Sequence, residues 1–453
     1  MTANGIVTVV PELAYVDVRA LSGVQSLFGG LAGGGTLGGG TGALTPVTTV
    51  GPVGSATGQG VNRFNAVQTT SVGVSPYLLR KFGDWGSAKV GVSADLSSYS
   101  QIKGFTANPF GGTGAAGQKL LTTEQLASFT TGEAFDRFHD TLSVNFSQSR
   151  TEYSGGGGGA RGNSFSSQRQ TINNEMSYAL NRTFTALASF GEQRITYAQG
   201  NAPNINGLIW SLGMTVTPDP DSSLTVKYGH QNGVDTLTAN GFYALSARTM
   251  ISFDYSNGVG TQLENLQNGL NGSILNAQGQ LINPLTGGLA LGGLNANGVQ
   301  NGVYRFNTLN ASVVSNWERD SFQLSLTWSL QTNLTPGSNQ TAILIDPNTG
   351  ALVLGFRPVA GTGQTIDTKT ASFVWTHELA PDLTMSSSVA YTLIRRGGGL
   401  GNDGIFSTGV GVRYALSESL TATARYSFFD RISRLPGYSL FENIVLLGIT
   451  KQF

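Results

Sequence analysis

The chain has no cysteine, few charged residues and no long apolar run. Without cysteine, its 453 residues cannot form a disulfide framework, a thiol nucleophile or a cysteine-bound zinc site. Charged residues are 11% of the sequence, less than half of the roughly 25% of an ordinary soluble domain. The 26 basic and 26 acidic residues balance, which gives no electrostatic basis for nucleic-acid binding. No stretch of about 18 apolar residues is present, so a transmembrane helix is not expected.

What the sequence has in abundance is glycine and two-residue alternation. Its 63 glycines are about twice the usual share. In many segments apolar side chains alternate with small polar ones, which is typical of a β-strand with two different faces. The clearest example has Phe322, Leu324, Leu326, Trp328 and Leu330 alternating with Gln323, Ser325, Thr327 and Ser329.

Two features favour a membrane barrel over a soluble β-sandwich, which would also alternate. The polar face is mostly Ser, Thr, Gly and Asn, whereas a surface exposed to cytoplasm usually carries more Lys and Glu. The connections also alternate between short and long, as periplasmic turns and external loops do in outer-membrane barrels. The sequence therefore predicts one all-β domain over residues 1–453, a single antiparallel transmembrane β-barrel of about 18 strands in the outer membrane of a Gram-negative bacterium.

The alternation also predicts where the strands and loops lie. The C-terminal strand is expected to run toward the periplasm, so the short turns are periplasmic and the long, Gly-rich loops external. The predicted external loops are approximately 20–65, 102–118, 155–165, 261–302 and 334–363. The predicted strands are 6–19, 66–82, 87–101, 119–131, 137–154, 166–180, 183–197, 206–217, 222–232, 235–246, 248–260, 303–317, 320–333, 364–378, 382–396, 403–415, 419–432 and 439–453.

The C-terminal strand ends in an aromatic residue, a feature associated with recognition by the barrel-assembly machinery. Its predicted lipid-facing residues, which we expect to form the assembly signal, are Val445, Leu447, Ile449 and Phe453. Lys451 has the same parity and is tolerable near the lipid headgroups, where its amine can snorkel. The alternative is an ordinary strand that happens to end in Phe.

Charged side chains on the polar parity are candidates for lining the lumen of a wide barrel, where they could set ion preference. Both signs occur, so weak ion selectivity is predicted. The alternative is that these charges are simply solvated or paired across strands. The candidates are Lys89, Asp95, Glu175, Lys227, Asp254, Arg413 and Arg425.

Two apolar hairpins are predicted inside the long external loops, one over residues 342–354 and one over residues 273–282. They could fold inward as a constriction, pack on each other or bind a partner. The tip of the first hairpin consists of Asp346, Pro347, Asn348, Thr349 and Gly350.

The sequence offers no convincing site for catalysis or a cofactor. Residues 33–38 satisfy a dinucleotide-binding pattern, but they lie in a Gly-rich run without a βαβ context. His139 and Asp140 are adjacent, so in a strand they point to opposite faces and cannot form a hydrolase with Ser143. We expect no enzymatic activity, cofactor or metal. The expected partners are outer-membrane lipid, the barrel-assembly machinery, and polysaccharide or other envelope proteins.

Several segments resemble the outer-membrane proteins associated with the exosortase/PEP-CTERM system, which are encoded beside exopolysaccharide genes. The resemblance implies an outer-membrane location and a role around surface polysaccharide, and it supplies no catalytic residues. Lys451 departs from it, since the family has Tyr there. The segments that carry it are 71–78 with 82–83, 131–137, 207–218, 228–230, 245–249 and 254–256.

Three functions are compatible with these features. The preferred one is exopolysaccharide export or cell-surface organisation, with the barrel acting as a passive channel. The first alternative is a structural or interaction barrel with a plugged lumen, whose external loops bind polysaccharide or neighbouring proteins. The second alternative is a general diffusion porin. A lumen blocked by loops 261–302 and 334–363 would favour the structural barrel, and an open bore lined by the charges would favour transport.

Overall fold

The computed structural model describes part of the chain, between residues 17 and 451. Nearly all of it is β-strand, with a 3-10 turn at Glu133–Phe135. Within this part of the chain, none of the helical segments is long and apolar enough to cross a membrane. The described residues are 17–26, 30–32, 66–101, 118–153, 165–198, 204–261, 264–265, 274–275, 281–282, 303–335, 339–345, 352–358, 364–397, 402–417, 419–434 and 439–451.

The strands are numbered in chain order. They are β1 (Asp17–Ser26), β2 (Gly30–Ala32), β3 (Ala66–Ser75), β4 (Tyr77–Lys81), β5 (Gly86–Gln101), β6 (Gln118–Thr131), β7 (Phe138–Tyr153), β8 (Phe165–Ala179), β9 (Phe184–Tyr197), β10 (Ile205–Asp219), β11 (Ser222–Gln231), β12 (Val234–Ser246), β13 (Thr249–Thr261), β14 (Ile274–Leu275), β15 (Leu281–Ile282), β16 (Val303–Asn316), β17 (Asp320–Asn333), β18 (Asn339–Ile345), β19 (Leu352–Pro358), β20 (Thr365–Ala380), β21 (Leu383–Arg396), β22 (Asn402–Ser417), β23 (Leu420–Ser433) and β24 (Leu440–Lys451).

Twenty of these strands form one antiparallel sheet that follows the order of the chain. β3 and β4 pair one after the other with β5, and β2 pairs only with the last three residues of β1. With β3 and β4 taken as one interrupted strand and β2 left out, the sheet has 18 strand positions, the number expected from the sequence. The β14–β15 and β18–β19 hairpins stand apart from it. The prediction of an all-β, antiparallel architecture is confirmed.

Strand boundaries differ from the predicted ones mainly near the N-terminus. β1 covers Asp17–Ser26, whereas the sequence predicted a strand over 6–19 and a loop beyond it. The part of that range before residue 17 lies outside the described residues. The shift follows from register, because all ten residues of β1 pair with the ten residues of β3. Pro76 has no N–H to donate and separates β3 from β4, so the predicted strand 66–82 is interrupted. The other strands agree to within two residues at each end.

The two faces of the sheet carry different side chains, as the alternation predicted. On one face, here termed the apolar face, large side chains are exposed; Leu326 is 49% exposed and Leu447 is 76% exposed. On the opposite face, the hydroxyl face, Ser and Thr predominate, and Thr327 is 8% exposed. Other exposed members of the apolar face are Leu142, Val144, Ile172, Phe190, Leu208, Leu212, Tyr228, Val389, Tyr391, Val410 and Tyr426.

The two ends of the sheet differ in the length of the connections between strands. At the short-turn end the chain reverses at 82–85, 132–137, 180–183, 220–221, 247–248, 317–319, 381–382 and 418–419. At the long-loop end the connections include 102–117, 154–164, 262–302 and 334–364, together with one tight turn at Asn232 and Gly233. This difference matches the predicted alternation of short turns and long loops.

Buried apolar side chains gather at the long-loop end instead of forming a central core. One cluster lies on the hydroxyl face of β20–β23, and a second joins β9 to β13 and β16. The members of the first are Ile366, Ile394, Ile405 and Phe429, and those of the second are Ile195, Tyr197, Val259 and Val303.

Candidate functional site

The hydroxyl face is buried at the long-loop end and becomes accessible toward the short-turn end. On β21, every second residue from Arg396 to Ser388 is buried, whereas Ser386 and Thr384 are partly accessible. On β22 the buried positions end at Gly409. β17, β20 and β23 show the same gradient. The two halves of this face therefore have different environments.

The depth of burial varies around the sheet. Among residues 167–179 of β8, Ser167 is the one buried member of the hydroxyl face, and Glu175 is exposed. On β20 and β21 the buried positions include Ser372 and Ser388, whose neighbours on this face are also small. Side chains of this size cannot shield one another from water, and a sheet of this many strands can enclose an aqueous lumen. The hydroxyl face of β20 and β21 is therefore covered at the long-loop end.

In the accessible part, hydroxyl groups on neighbouring strands form hydrogen-bonded pairs. A hydroxyl donates one hydrogen bond and can accept two, so each pair keeps capacity to bind a further polar group. These pairs offer donors and acceptors without net charge. They are Ser189 with Ser211 (Oγ–Oγ 2.6 Å), Thr215 with Thr225 (2.8 Å) and Thr130 with Thr141 (3.2 Å).

The seven charged residues proposed from the sequence are dispersed over the sheet. The Lys89 amine lies 4.7 Å from the centre of the Tyr77 ring, and Glu175 accepts a hydrogen bond from Asn173 at 3.2 Å. The described residues contain no group of three or more His, Asp or Glu side chains that could hold a metal ion. The remaining candidates lie on β5, β11, β13, β22 and β23, at the parity of the hydroxyl face; they are Asp95, Lys227, Asp254, Arg413 and Arg425.

The structure contains a buried charge cluster at the long-loop end that was not predicted from the sequence. Asp403 of β22 has a side chain that is 0% exposed and lies between Arg396 of β21 and Arg431 of β23. Its Oδ2 accepts hydrogen bonds from both guanidinium groups, the first at 2.7 Å, and its Oδ1 accepts from the Ser433 hydroxyl at 2.5 Å. One carboxylate thus ties three adjacent strands together at the long-loop end. The sequence does contain a signal for this cluster, because Arg396, Asp403 and Arg431 each lie near the end of a predicted strand, at a position of the polar face.

The remaining sequence candidates lie partly outside the described residues. Val445, Leu447 and Ile449 are exposed on the apolar face of β24, whereas Phe453 is not among the described residues. β18 and β19 pair antiparallel up to Ile345 opposite Leu352, which places them on either side of the predicted hairpin tip. The tip itself, 346–350, lies outside the described residues. β14 and β15 pair in the second predicted hairpin.

Tryptophan side chains on the apolar face are hydrogen-bonded to carboxylates at two levels. Near the short-turn end, Trp375 Nε1 donates to Asp320 Oδ1 at 2.8 Å. Toward the long-loop end, Trp328 Nε1 donates to Asp367 Oδ1 at 2.7 Å. Leu326 and other apolar side chains lie between these levels. An apolar ring with a hydrogen-bonded N–H is typical of a membrane–water interface.

The last five strands match a known family. Residues 359–453, which contain β20–β24, match the family described as "Putative beta-barrel porin 2". Together with the exposed apolar face, this match points to an outer-membrane β-barrel protein of porin-like character. A comparison with curated proteins finds no match.

Similar solved structures include three iron-related proteins, all at low identity. The siderophore receptor PirA from Pseudomonas aeruginosa has a TM-score of 0.43 and 10% identity, over 86% of this chain and 65% of that chain. A mutant ferric enterobactin receptor, PfeA, from the same organism has a TM-score of 0.45 and 11% identity, over 85% of this chain and 62% of that chain. The FrpB iron transporter from Neisseria meningitidis has a TM-score of 0.42 and 9% identity, over 85% of this chain and 64% of that chain. The chain spans less than two thirds of these proteins, and TM-scores below 0.5 establish no common function.

Proposed function

We propose that the chain is a closed outer-membrane β-barrel, with its apolar face in lipid and its hydroxyl face around the lumen. The observation that carries this proposal is that the exposed large apolar side chains lie predominantly on one face of the sheet. In hydrocarbon, closure between β24 and β1 would pair the backbone groups of both edge strands. The porin-like match of residues 359–453 supports the same conclusion. The short-turn end would then face the periplasm and the long-loop end the exterior.

The role we propose for this barrel is in exopolysaccharide export or cell-surface organisation, with the lumen as a passive channel. The resemblance to exosortase-associated outer-membrane proteins supports the link to polysaccharide. The paired hydroxyls of the accessible half suit neutral, polyhydroxylated solutes, because they hydrogen-bond without attracting ions. The dispersed charges of both signs favour weak ion selectivity.

A structural barrel with a plugged lumen is the second candidate, and one observation favours it. The hydroxyl face of β17 and β20–β23 is buried over its long-loop half. A general porin needs an unobstructed bore, and this burial gives it no support. The passive channel and the structural barrel therefore differ in whether a solute can pass the half of the lumen in which the hydroxyl face is buried.

Reconstitution of the purified barrel into lipid vesicles and planar bilayers tests the channel. We expect vesicles to swell in solutions of neutral oligosaccharides, and we expect bilayer currents with little preference for anions or cations. A charged sugar of matched size is the control for hydroxyl recognition. Impermeable vesicles and silent bilayers would leave the structural barrel as the better account, and strong ion selectivity would contradict the role assigned to the hydroxyl pairs.

Deletion of the gene in its host tests the link to polysaccharide. We expect less exopolysaccharide at the cell surface, restored by the wild-type gene supplied in trans. Staining of polysaccharide in whole cells and in culture medium separates failed export from failed retention. Unchanged amounts in both fractions would show that the proposed link is wrong.

A further inference from the structure

Six of the seven charged side chains predicted to line the lumen lie at nearly the same distance from the short-turn end of the sheet. Each is three to five residues from that end of its own strand, and we term this set the charge belt. The seventh, Asp95, is nine residues from the end of β5, and Glu378 of the hydroxyl face is only two residues from the end of β20. The members of the charge belt are Lys89, Glu175, Lys227, Asp254, Arg413 and Arg425.

Distance from the short-turn end is a measure of level in the barrel. The strands of a barrel are tilted, so residues that pair across a ladder lie at slightly different levels. The short-turn ends of neighbouring strands, in contrast, lie side by side. Gly86 at the start of β5 pairs with Thr131 at the end of β6, and Leu420 at the start of β23 pairs with Lys451 at the end of β24. The charge belt therefore follows the mouth of the lumen at the short-turn end.

The charge belt lies in the accessible half of the hydroxyl face. Glu175 and Arg413 are exposed, and the other four members are partly accessible. Asp403, which is also on the hydroxyl face but near the long-loop end, is instead buried between two arginines. A solute that approaches from the short-turn side would therefore meet the charge belt before it reaches the buried half.

The two arginines of the charge belt are neighbours on β22 and β23. Arg413 pairs with Thr423, and Arg425 stands two residues after Thr423 on the same face, so the two guanidinium groups flank this threonine. The Arg425 stem lies over β22, since a Cβ built at Gly411 would be 3.7 Å from Arg425 Cγ. Thr423 therefore marks the positive side of the charge belt.

A threonine on the other side of the sheet stands next to a carboxylate instead. Thr141 of β7 pairs with Glu175 of β8. With 18 strand positions in a closed barrel, β7 and β8 lie across the lumen from β22 and β23. Strands spaced about 4.8 Å apart make such a ring roughly 25 Å or more across, which exceeds the Debye length of about 10 Å at 0.1 M salt. Each side of the charge belt therefore acts on a charged group independently of the other.

We propose that the charge belt sorts the charged groups of a solute at the short-turn mouth, an inference that rests on the closed barrel proposed above. Negative groups bind between Arg413 and Arg425, and positive groups bind beside Glu175. Four members of the charge belt are cationic and two are anionic, so a slight overall preference for anions accompanies this local sorting.

Thiol labelling tests the local charge without requiring a current. The chain has no native cysteine, and Thr423 and Thr141 are matched, since both lie on the hydroxyl face three residues from the short-turn end. Thr423→Cys and Thr141→Cys are treated in lipid vesicles with two thiosulfonate reagents of similar size, one carrying a sulfonate and one a quaternary ammonium. Relative to the rates in urea, we expect the anionic reagent to be favoured about 5- to 20-fold at position 423 and the cationic reagent to be favoured at position 141.

Substitution of one arginine tests the assignment to the charge belt. Arg413→Gln should lower the reagent preference at position 423 about 2- to 5-fold and leave that at position 141 unchanged. Arg413→Lys keeps the charge and should restore the preference. The matched control is Arg150→Gln, because Arg150 lies on the apolar face, where its side chain is 59% exposed and pairs with Glu152 at 3.4 Å.

Bilayer currents test the effect on selectivity. We expect about a twofold preference for chloride over potassium in the wild type, and loss of this preference when Arg413→Gln is combined with Arg425→Gln. An unchanged preference in the double variant would show that the two arginines do not set it.

The outcomes separate the charge belt from the channel. Equal reagent preferences at positions 423 and 141 overturn the sorting and leave the channel standing. Cysteines at these positions that fail to react in folded barrels overturn the placement of the charge belt in an accessible mouth. Opposite reagent preferences without current in any variant support the charge belt and overturn the channel.

Discussion

Replacement of Asp403 by asparagine should strongly destabilise the barrel. The carboxylate is fully buried between two arginine side chains that are 2% and 7% exposed. Asparagine keeps the shape and can still accept hydrogen bonds, but it removes the charge that compensates two buried guanidinium groups. Removing one partner of a buried ion pair typically costs about 3–5 kcal/mol, and that is the loss expected for Asp403→Asn.

Urea titration of the barrel in lipid vesicles, followed by tryptophan fluorescence, measures this loss. The matched control is Asp235→Asn, because Asp235 also bonds a side-chain nitrogen, His230 Nδ1 at 2.9 Å, but its side chain is 68% exposed. An exposed pair of this kind contributes about 0–1 kcal/mol. A loss for Asp403→Asn as small as that of the control would refute the reasoning from burial.

A triple replacement separates charge from packing at the same position. Asp403→Leu combined with Arg396→Met and Arg431→Met removes all three charges and keeps similar volume. Such exchanges in other proteins are neutral or stabilising by about 1–4 kcal/mol, so the triple variant should be more stable than Asp403→Asn. If both variants are equally unstable, the hydrogen-bond geometry of the cluster matters more than its charge balance.

Three further predictions concern lipid contact, strand spacing and assembly. Val144→Arg, on the apolar face, should cost about 2–4 kcal/mol in urea titration, whereas Ser143→Arg on the hydroxyl face should cost far less. Gly191→Ala places Cβ 2.1 Å from a carbonyl oxygen of β8 and should cost about 1–3 kcal/mol. Gly207→Ala, with no atom within 4 Å of the new Cβ, should be within about 0.5 kcal/mol of wild type. Deletion of Phe453 should lower the amount of folded barrel in cell membranes without changing its stability after refolding in detergent.

The strands could be predicted because the alternation of apolar and polar side chains within each strand is enough to identify it. In β17, side chains alternate from Phe322 to Leu330 without interruption, and the structure places this strand where the sequence did. Alternation needs only local contacts, since each side chain faces either lipid or the opposite side of the sheet. β1 was misplaced because its position depends on the register with β3, which local patterning does not contain.

The burial gradient was not predicted, because parity identifies the face of a residue and says nothing about what lies opposite. Asp403 and Arg169 have the same parity as the charges that were proposed for the lumen, yet one is buried between arginines and the other binds a backbone carbonyl across the sheet. A usable signal was nevertheless present. Ile394, Ile405 and Phe429 are apolar residues on the polar parity, and all lie near the long-loop end.

These apolar residues on the hydroxyl face limit how a solute could cross the barrel. A hydrocarbon side chain is stabilised by about 25 cal/mol for each Å² removed from water, so it gains nothing in a hydrated lumen. The low exposure of Ile394 and Ile405 shows that the long-loop half of β20–β23 packs like a protein interior. A solute entering from the short-turn end would meet the hydroxyl pairs first and then this closed half. Transport therefore requires a rearrangement of this half, whereas a structural barrel requires none, and reconstitution into vesicles and planar bilayers distinguishes these functions directly.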